Sequence, residues 1–260
     1  SSDLESYTKD GKLYTNREEG KARKLSSLKS FYDYYFKKNL IRTNPPRQVD
    51  VPKIKNKNII RLDPNEIAQL LDEAESGEKL SGRQLASHEK TKVRDVAILT
   101  LLLGTGIRVS ECVGLNLEDV DFNNGAIRII RKGGNEALIY FGDEVSQALE
   151  AYMNGSRKTA EPAAGHEEAL FISLNKTRIT TRSVERLVKK YSRLVTTVKK
   201  ITPHKLRSTF GTALYQETGD IYLVADTLGH KDVNTTKKHY AAIDEHRRRM
   251  AANVVKLRES

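Results

Sequence analysis

The sequence predicts a mostly helical α+β protein with one small antiparallel sheet. Three observations carry that expectation. Apolar residues recur at helical spacing over 18–39, 63–75 and 92–103, and over most of the chain after Asp143. Between Val120 and Phe141 the pattern changes to β-branched and aromatic runs broken by glycine and asparagine. Apolar residues make up 38% and charged residues 30%, the balance of an ordinary globular chain, and no run approaches the roughly 18 consecutive apolar residues of a membrane helix.

Each element has a local reason. Leu25, Leu28, Phe31, Tyr32, Tyr35 and Phe36 mark one face of a first helix, about 18–39, and basic residues fill the other. Pro45, Pro46 and Pro52 deny helix to a polar, basic stretch, so 43–60 reads as an interdomain linker. Residues 1–42 are too few to bury a good core alone, which predicts a partial domain whose beginning lies upstream of residue 1. Asp63 as N-cap and Pro64 at the first helical position start a helix to about Glu75. The polar stretch GEKLSGRQLASHEKT separates it from a buried helix over 92–103, which ends in Gly104-Thr105-Gly106. Val120–Phe122, Ala126–Arg131 and Ala137–Phe141 read as strands, the last two joined through Gly133-Gly134-Asn135. Helices are expected at about 143–153, 180–195, 203–217, 220–228, 233–240 and 244–258.

Charge and cysteine usage narrow the function. The net charge is +11, and residues 1–60 hold +7 of it, which points to a polyanionic partner. Residues 178–200 contain eight Lys/Arg and one acid, interleaved with Val184, Leu187, Val188, Tyr191 and Leu194, as for a helix with one packed and one phosphate-facing side. The single cysteine, Cys112, excludes an intramolecular disulfide and a cysteine-rich zinc site, and fits a reducing compartment. The N-terminus lacks the pattern of a secretory signal.

Four segments carry candidate chemistry. In Thr202-Pro203-His204-Lys205-Leu206-Arg207, His204 and Arg207 share a face at a helix start, a place for an anion. In Leu228-Gly229-His230 a helix halts and places His230 at a loop start, a poor position for a core histidine, with Tyr240 ten residues on. In Gly104-Thr105-Gly106-Ile107-Arg108-Val109-Ser110-Glu111 an arginine is held between two helices, either for bidentate phosphate recognition or as a structural pair with Glu111. Arg131-Lys132-Gly133 sits at a hairpin tip, where a lysine is ordinarily just solvated. Singly, each segment has such a plainer reading.

Taken in order, Arg108, Lys132, His204 and Arg207, His230 and Tyr240 resemble the catalytic series of the tyrosine recombinases, the phage-integrase and Xer-like site-specific recombinase family. The flanks TGIRVSE, HKLR and LGH match as well, and the resemblance covers about residues 60–260. It departs in the His-to-Tyr interval, ten residues where many members have nine, and in Lys205 and Ser208, where aspartate and histidine are frequent. The resemblance implies a recombinase catalytic domain over 61–260, preceded by a partial helical DNA core-binding domain and ending in a helix, 244–258, that docks on a neighbouring subunit.

It also implies a reaction. Arg108 and Arg207 hold the non-bridging phosphate oxygens and His230 adds a hydrogen bond. Lys132 protonates the 5′ leaving group, and His204 assists proton movement at the tyrosine. Tyr240 is the nucleophile and forms a 3′-phosphotyrosyl link, so rejoining needs no cofactor, neither ATP nor metal. The implied setting is a bacterial cytoplasm, on a double-stranded DNA recombination site, with self-association from dimer to tetramer and no membrane. The implied role is recombination for a mobile element; a type IB topoisomerase-like activity and chromosome-dimer resolution are the alternatives. Expected DNA contacts are Lys21, Arg23, Lys24, Lys53, Lys55, Lys57, Arg178, Arg182, Arg186, Lys189 and Lys190.

Overall fold

A computed structural model of the chain describes residues 5–52, 60–131, 133–230, 233 and 236. The chain divides into two compact units, 1–58 and 59–260. In the first, strands β1 (Ser6–Lys9) and β2 (Lys12–Thr15) pair antiparallel around Asp10 and Gly11, whose φ values of 51° and 72° make the tight turn. Tyr7 stacks on Tyr14 at 5.2 Å, and the Lys24 ammonium lies 4.5 Å from the centre of the Tyr7 ring. Helix α1 (Glu18–Lys37) follows, with Ala22 and Leu25 buried. This hairpin is absent from the sequence expectation: four-residue strands are too short to show a period, and only the Asp10-Gly11 pair signals them. Within the expected linker, Pro45–Gln48 form a 3-10 turn beside α1, where Asn44 donates to Asp33 at 2.6 Å. Residues 53–59 of that linker lie outside the described residues.

The second unit is built on helix α4 (Lys92–Thr105). Ala97, Ile98, Leu99, Leu101 and Leu102 are buried on all its sides, the signature of a helix enclosed by others. Around it pack α2 (Pro64–Ser76), α6 (Asp143–Tyr152), α7 (Thr181–Val195) and α8 (Pro203–Thr218). Asp63 and Glu66 form the reciprocal cap that starts α2, at 3.0 and 2.9 Å. The polar stretch after α2 contains a further helix, α3 (Gly82–Glu89), capped by Ser81. Its one buried side chain is a histidine, so it offers no apolar period to read. Helix α5 (Val109–Gly114) follows Arg108. Strands β3 (Val120–Asp121), β4 (Ala126–Ile130) and β5 (Glu136–Tyr140) form one antiparallel sheet, with Ile127 opposite both Val120 and Ile139. A short helix, α9 (Ile221–Thr227), follows α8. Of the expected helix 233–240 only Val233 and Thr236 are described, both helical; helix 244–258 lies outside the described residues.

A buried polar chain ties α3, α4 and α7 together. Tyr191 donates its hydroxyl to Asp95 at 3.0 Å and meets Nδ1 of His88 at 3.0 Å, while Thr91 and Arg94 also donate to Asp95, at 3.0 and 2.7 Å. Burial, and then the Lys190 ammonium, hold the His88 imidazole below the ordinary histidine range. A depressed histidine binds its proton more readily when unfolded, so its contribution is complete above about pH 6.5 and is lost as pH falls toward the folded-state value. Urea unfolding midpoints of the wild type should therefore drop between pH 7.5 and 5.5, and His88→Gln should drop less over the same interval. Parallel curves for the two proteins would show that His88 does not titrate in this way.

Candidate active site

The site forms where α9 ends. A helix leaves its last carbonyls without intrahelical partners and carries partial negative charge there. Here the carbonyls of Asp226, Thr227, Leu228 and Gly229 all accept from guanidinium groups, which reach them from three separate parts of the chain.

Arg108 comes from the α4–α5 junction. Its backbone N–H donates to Glu111 Oε2 at 2.6 Å, its Nη1 to Glu111 Oε1 at 2.7 Å and its Nη2 to the Gly229 carbonyl at 3.2 Å. The structural pair with Glu111 is therefore present, and it fixes the plane of the guanidinium. Arg207 comes from the second turn of α8. It is buried, donating Nη1 to the Gly106 carbonyl at 2.6 Å and Nη2 to the Leu228 carbonyl. Arg131 comes from the end of β4 and donates to Asp226 and Thr227, the latter at 3.1 Å. In the sequence Arg131 stands out only as the neighbour of Lys132; no pattern there says that its side chain reaches α9.

Two glycines make the convergence possible. Gly106 has φ 63°, and a Cβ there would fall 2.3 Å from Phe210. Gly229 has φ 60°, and a Cβ there would fall 2.4 Å from Nη1 of Arg131. Both adopt the left-handed conformation that favours glycine; at Gly106 a side chain would meet the Phe210 ring, and at Gly229 it would push the Arg131 guanidinium aside.

His230 follows directly. Its N–H donates to the Ala225 carbonyl at 2.8 Å, and its Nδ1 meets the buried Thr236 hydroxyl at 2.7 Å, which sets the ring plane. His204, exposed at the second position of α8, is one turn before Arg207 on the same helix. Lys132 and Tyr240 lie outside the described residues; β4 and β5 on either side of the Lys132 loop are described. So Arg108, Arg207 and His230 meet at one turn, on whose carbonyls three guanidiniums converge, with the Glu111 carboxylate paired to Arg108. Such a site attracts an anion and holds its donors in fixed planes. Burial pushes the Cys112 thiol up to about 12, which removes it as a competing nucleophile. Among the described residues no group of three or more His, Cys, Asp or Glu could hold a metal ion.

The expected DNA contacts separate into two kinds. Arg182, Arg186 and Lys189 are exposed on α7, and Arg193, absent from the expected set, continues the same stripe at helical spacing. Arg178 is used inside the fold instead: its Nη1 donates to the carbonyls of Val113, Gly114 and Leu115, at 3.1, 3.1 and 2.7 Å. Lys190 likewise turns inward, 3.8 Å from Asp95 and over the Tyr191 ring. In the first unit Arg23 is exposed, while Lys21 is paired with Glu18 and Glu5 and Lys24 lies over Tyr7. Lys53, Lys55 and Lys57 lie outside the described residues.

Comparison with known proteins agrees in kind. Residues 60–247 match the model of the phage integrase family. The chain is 37% identical over 218 residues to tyrosine recombinase XerC of Thermodesulfovibrio yellowstonii, covering 83% of this chain and 69% of that protein. Among solved structures, the Tn1549 transposon integrase in complex with circular intermediate DNA aligns with a TM-score of 0.66 at 25% identity, covering 90% of this chain and 78% of that one. The XerH site-specific recombinase bound to palindromic difH substrate aligns with a TM-score of 0.69 at 22% identity, covering 91% and 67%, and shares the fold.

Gly229→Ala tests the turn. A left-handed alanine costs about 1–2 kcal/mol by itself, and its Cβ displaces Arg131 as well. The variant should lose stability by at least that amount and lose catalysis, with DNA affinity near wild type. Unchanged thermal unfolding would mean that the turn is not held in this way.

Proposed function

The chain belongs to the phage integrase family, and from that premise we propose that it is a site-specific DNA recombinase that cuts and rejoins strands through a covalent 3′-phosphotyrosyl link to Tyr240. The observation that carries the reading is the meeting of Arg108 and Arg207 at the Gly229 and Leu228 carbonyls, directly before His230.

The chemistry follows from that frame. The scissile phosphate binds between the two guanidiniums, whose planes are fixed by Glu111 and by main-chain carbonyls, so little reorganisation is needed as charge builds on the non-bridging oxygens. His230 donates a further hydrogen bond. The Tyr240 oxygen attacks phosphorus, and its proton passes toward His204. The bond from phosphorus to the 5′ oxygen breaks, and Lys132 gives that oxygen a proton. One phosphoester bond forms as one breaks, so the link keeps the energy needed for rejoining, and a 5′ hydroxyl reverses the step. The specific partner is a double-stranded recombination site, bound by dimer to tetramer, and the expected compartment is a bacterial cytoplasm. Among the described residues no helix is long and apolar enough to cross a membrane. Residues 1–42 act as part of the DNA-clamping domain, 43–60 as the linker and 61–260 as the catalytic domain. The exposed stripe Arg182, Arg186, Lys189 and Arg193 lies along phosphate.

Tyr240→Phe removes one oxygen and keeps the ring. On a nicked suicide site the wild type should form a denaturation-resistant adduct through a 3′ phosphate, and Tyr240→Phe should bind the same DNA and form none. An adduct from the Phe variant would place the nucleophile elsewhere. For the stripe, changing Arg182, Arg186, Lys189 and Arg193 to Gln should flatten the slope of log affinity against log salt by about 0.9 for each phosphate no longer neutralised. An unchanged slope would remove α7 from the DNA interface.

A further inference from the structure

Arg131 does two things at once. Through its main chain it closes the β4–β5 loop: its N–H donates to the Asn135 carbonyl at 2.8 Å, and its carbonyl accepts from Gly134 at 3.0 Å. Through its side chain it grips the end of α9, with Nη2 3.1 Å from the Thr227 carbonyl and both terminal nitrogens 3.4 Å from the Asp226 carbonyl. The contact is close, since Nη1 occupies the space that a side chain on Gly229 would need. The Arg131 Nε is buried against the turn with no hydrogen-bond partner among the described residues. Leaving a buried donor unsatisfied is costly, and exposed carbonyls at a helix end are ordinarily satisfied by water. Capping α9 therefore does not by itself explain a guanidinium drawn from another element.

The hairpin explains it. Lys132 is the next residue in the chain, and Gly133 and Gly134 beyond it, at φ 102° and 83°, give the loop tip little stiffness of its own. The turn that Arg131 grips is the one that Arg108 and Arg207 also hold. A link from hairpin to turn therefore refers the lysine to the same frame as the phosphate clamp. We propose that Arg131 is a positioning residue that fastens the β4–β5 hairpin to the Asp226–Gly229 turn, so that Lys132 is presented to the 5′ leaving oxygen. This rests on the reading of Lys132 as the acid for that oxygen.

A substrate whose 5′-bridging oxygen is replaced by sulfur tests it, because a thiolate leaves without a proton. Single-turnover cleavage of oxygen and sulfur DNA, with DNA affinity measured alongside, is compared for wild type, Arg131→Ala, Arg131→Lys, Lys132→Ala and Arg207→Ala in the full chain. Arg131→Ala should be slower by at least about tenfold on oxygen DNA and within about threefold of wild type on sulfur DNA, as for Lys132→Ala, because only proton delivery is lost. Arg131→Lys keeps the charge but not the planar fork, so it should show the same rescue and serves if the alanine variant is unstable. Arg207→Ala should stay slow on both substrates. Rescue of Lys132→Ala without rescue of either Arg131 variant, or wild-type rates on oxygen DNA in both, would overturn this inference alone. Failure to rescue Lys132→Ala would overturn the reading of the lysine beneath it.

Discussion

Four consecutive carbonyls at the end of a seven-residue helix organise the second unit. Asp226, Thr227, Leu228 and Gly229 accept from Arg131, Arg207 and Arg108, which arrive from a hairpin, a helix and a helix junction. Carbonyls orient a guanidinium without neutralising it, because a helix end carries only about half an elementary charge. The result is a set of cations with fixed planes, one of them paired with the Glu111 carboxylate. That arrangement suits the phosphodiester of the proposed reaction.

The rest of the unit holds this turn in register. Helix α4 is enclosed by apolar neighbours, so Gly106 at its end is a fixed point, and the carbonyl there accepts from Arg207. Helix α8 carries Arg207 inward from a start fixed by Pro203, and a small cluster of Tyr215, Val224 and Leu228 seats α9 on it. The turn is thus supported from the apolar side by packing and from the polar side by the arginines. A guanidinium as buried as Arg207 stays charged, so its hydrogen bonds must be good to offset lost hydration. In the proposed function DNA affinity draws on other surfaces, chiefly the α7 stripe, whose residues belong to none of these bonds. On that reading, binding and chemistry should be separable by mutation.

Much of this architecture is legible in the amino-acid sequence. Helices α1, α2, α4, α6, α7, α8 and α9 and the three strands of the sheet stand within a few residues of their expected places, because burial of one face imposes a period that composition cannot hide. The hairpin β1–β2 and helix α3 lack such a face, and nothing in their periodicity announces them. The residues meeting at α9 appear as motifs, each weak alone and strong in order. What a sequence does not carry is direction. Arg178 and Lys190 look like the exposed basic residues around them, yet the first holds the carbonyls of 113–115 and the second turns toward Asp95, because neighbouring elements offer them acceptors. Arg193 looks like excess charge, and Arg131 is hidden by the lysine beside it.

Arg108 shows why the two roles open to it in the sequence are not true alternatives. A pair with Glu111 and a fork for phosphate compete only if the carboxylate uses up the guanidinium. In the structure Glu111 engages one terminal nitrogen and the backbone N–H, so it starts helix α5 and sets the plane of the arginine in one act, while the other terminal nitrogen reaches Gly229. The guanidinium keeps its charge and loses its rotational freedom. In the proposed reaction a phosphate entering the cluster would offset the Coulomb repulsion among the three cations. Binding of the scissile phosphate should thus stabilise the folded unit most at this turn, where the same carbonyls, arginines and glycines determine both how the chain folds and where the reacting group sits.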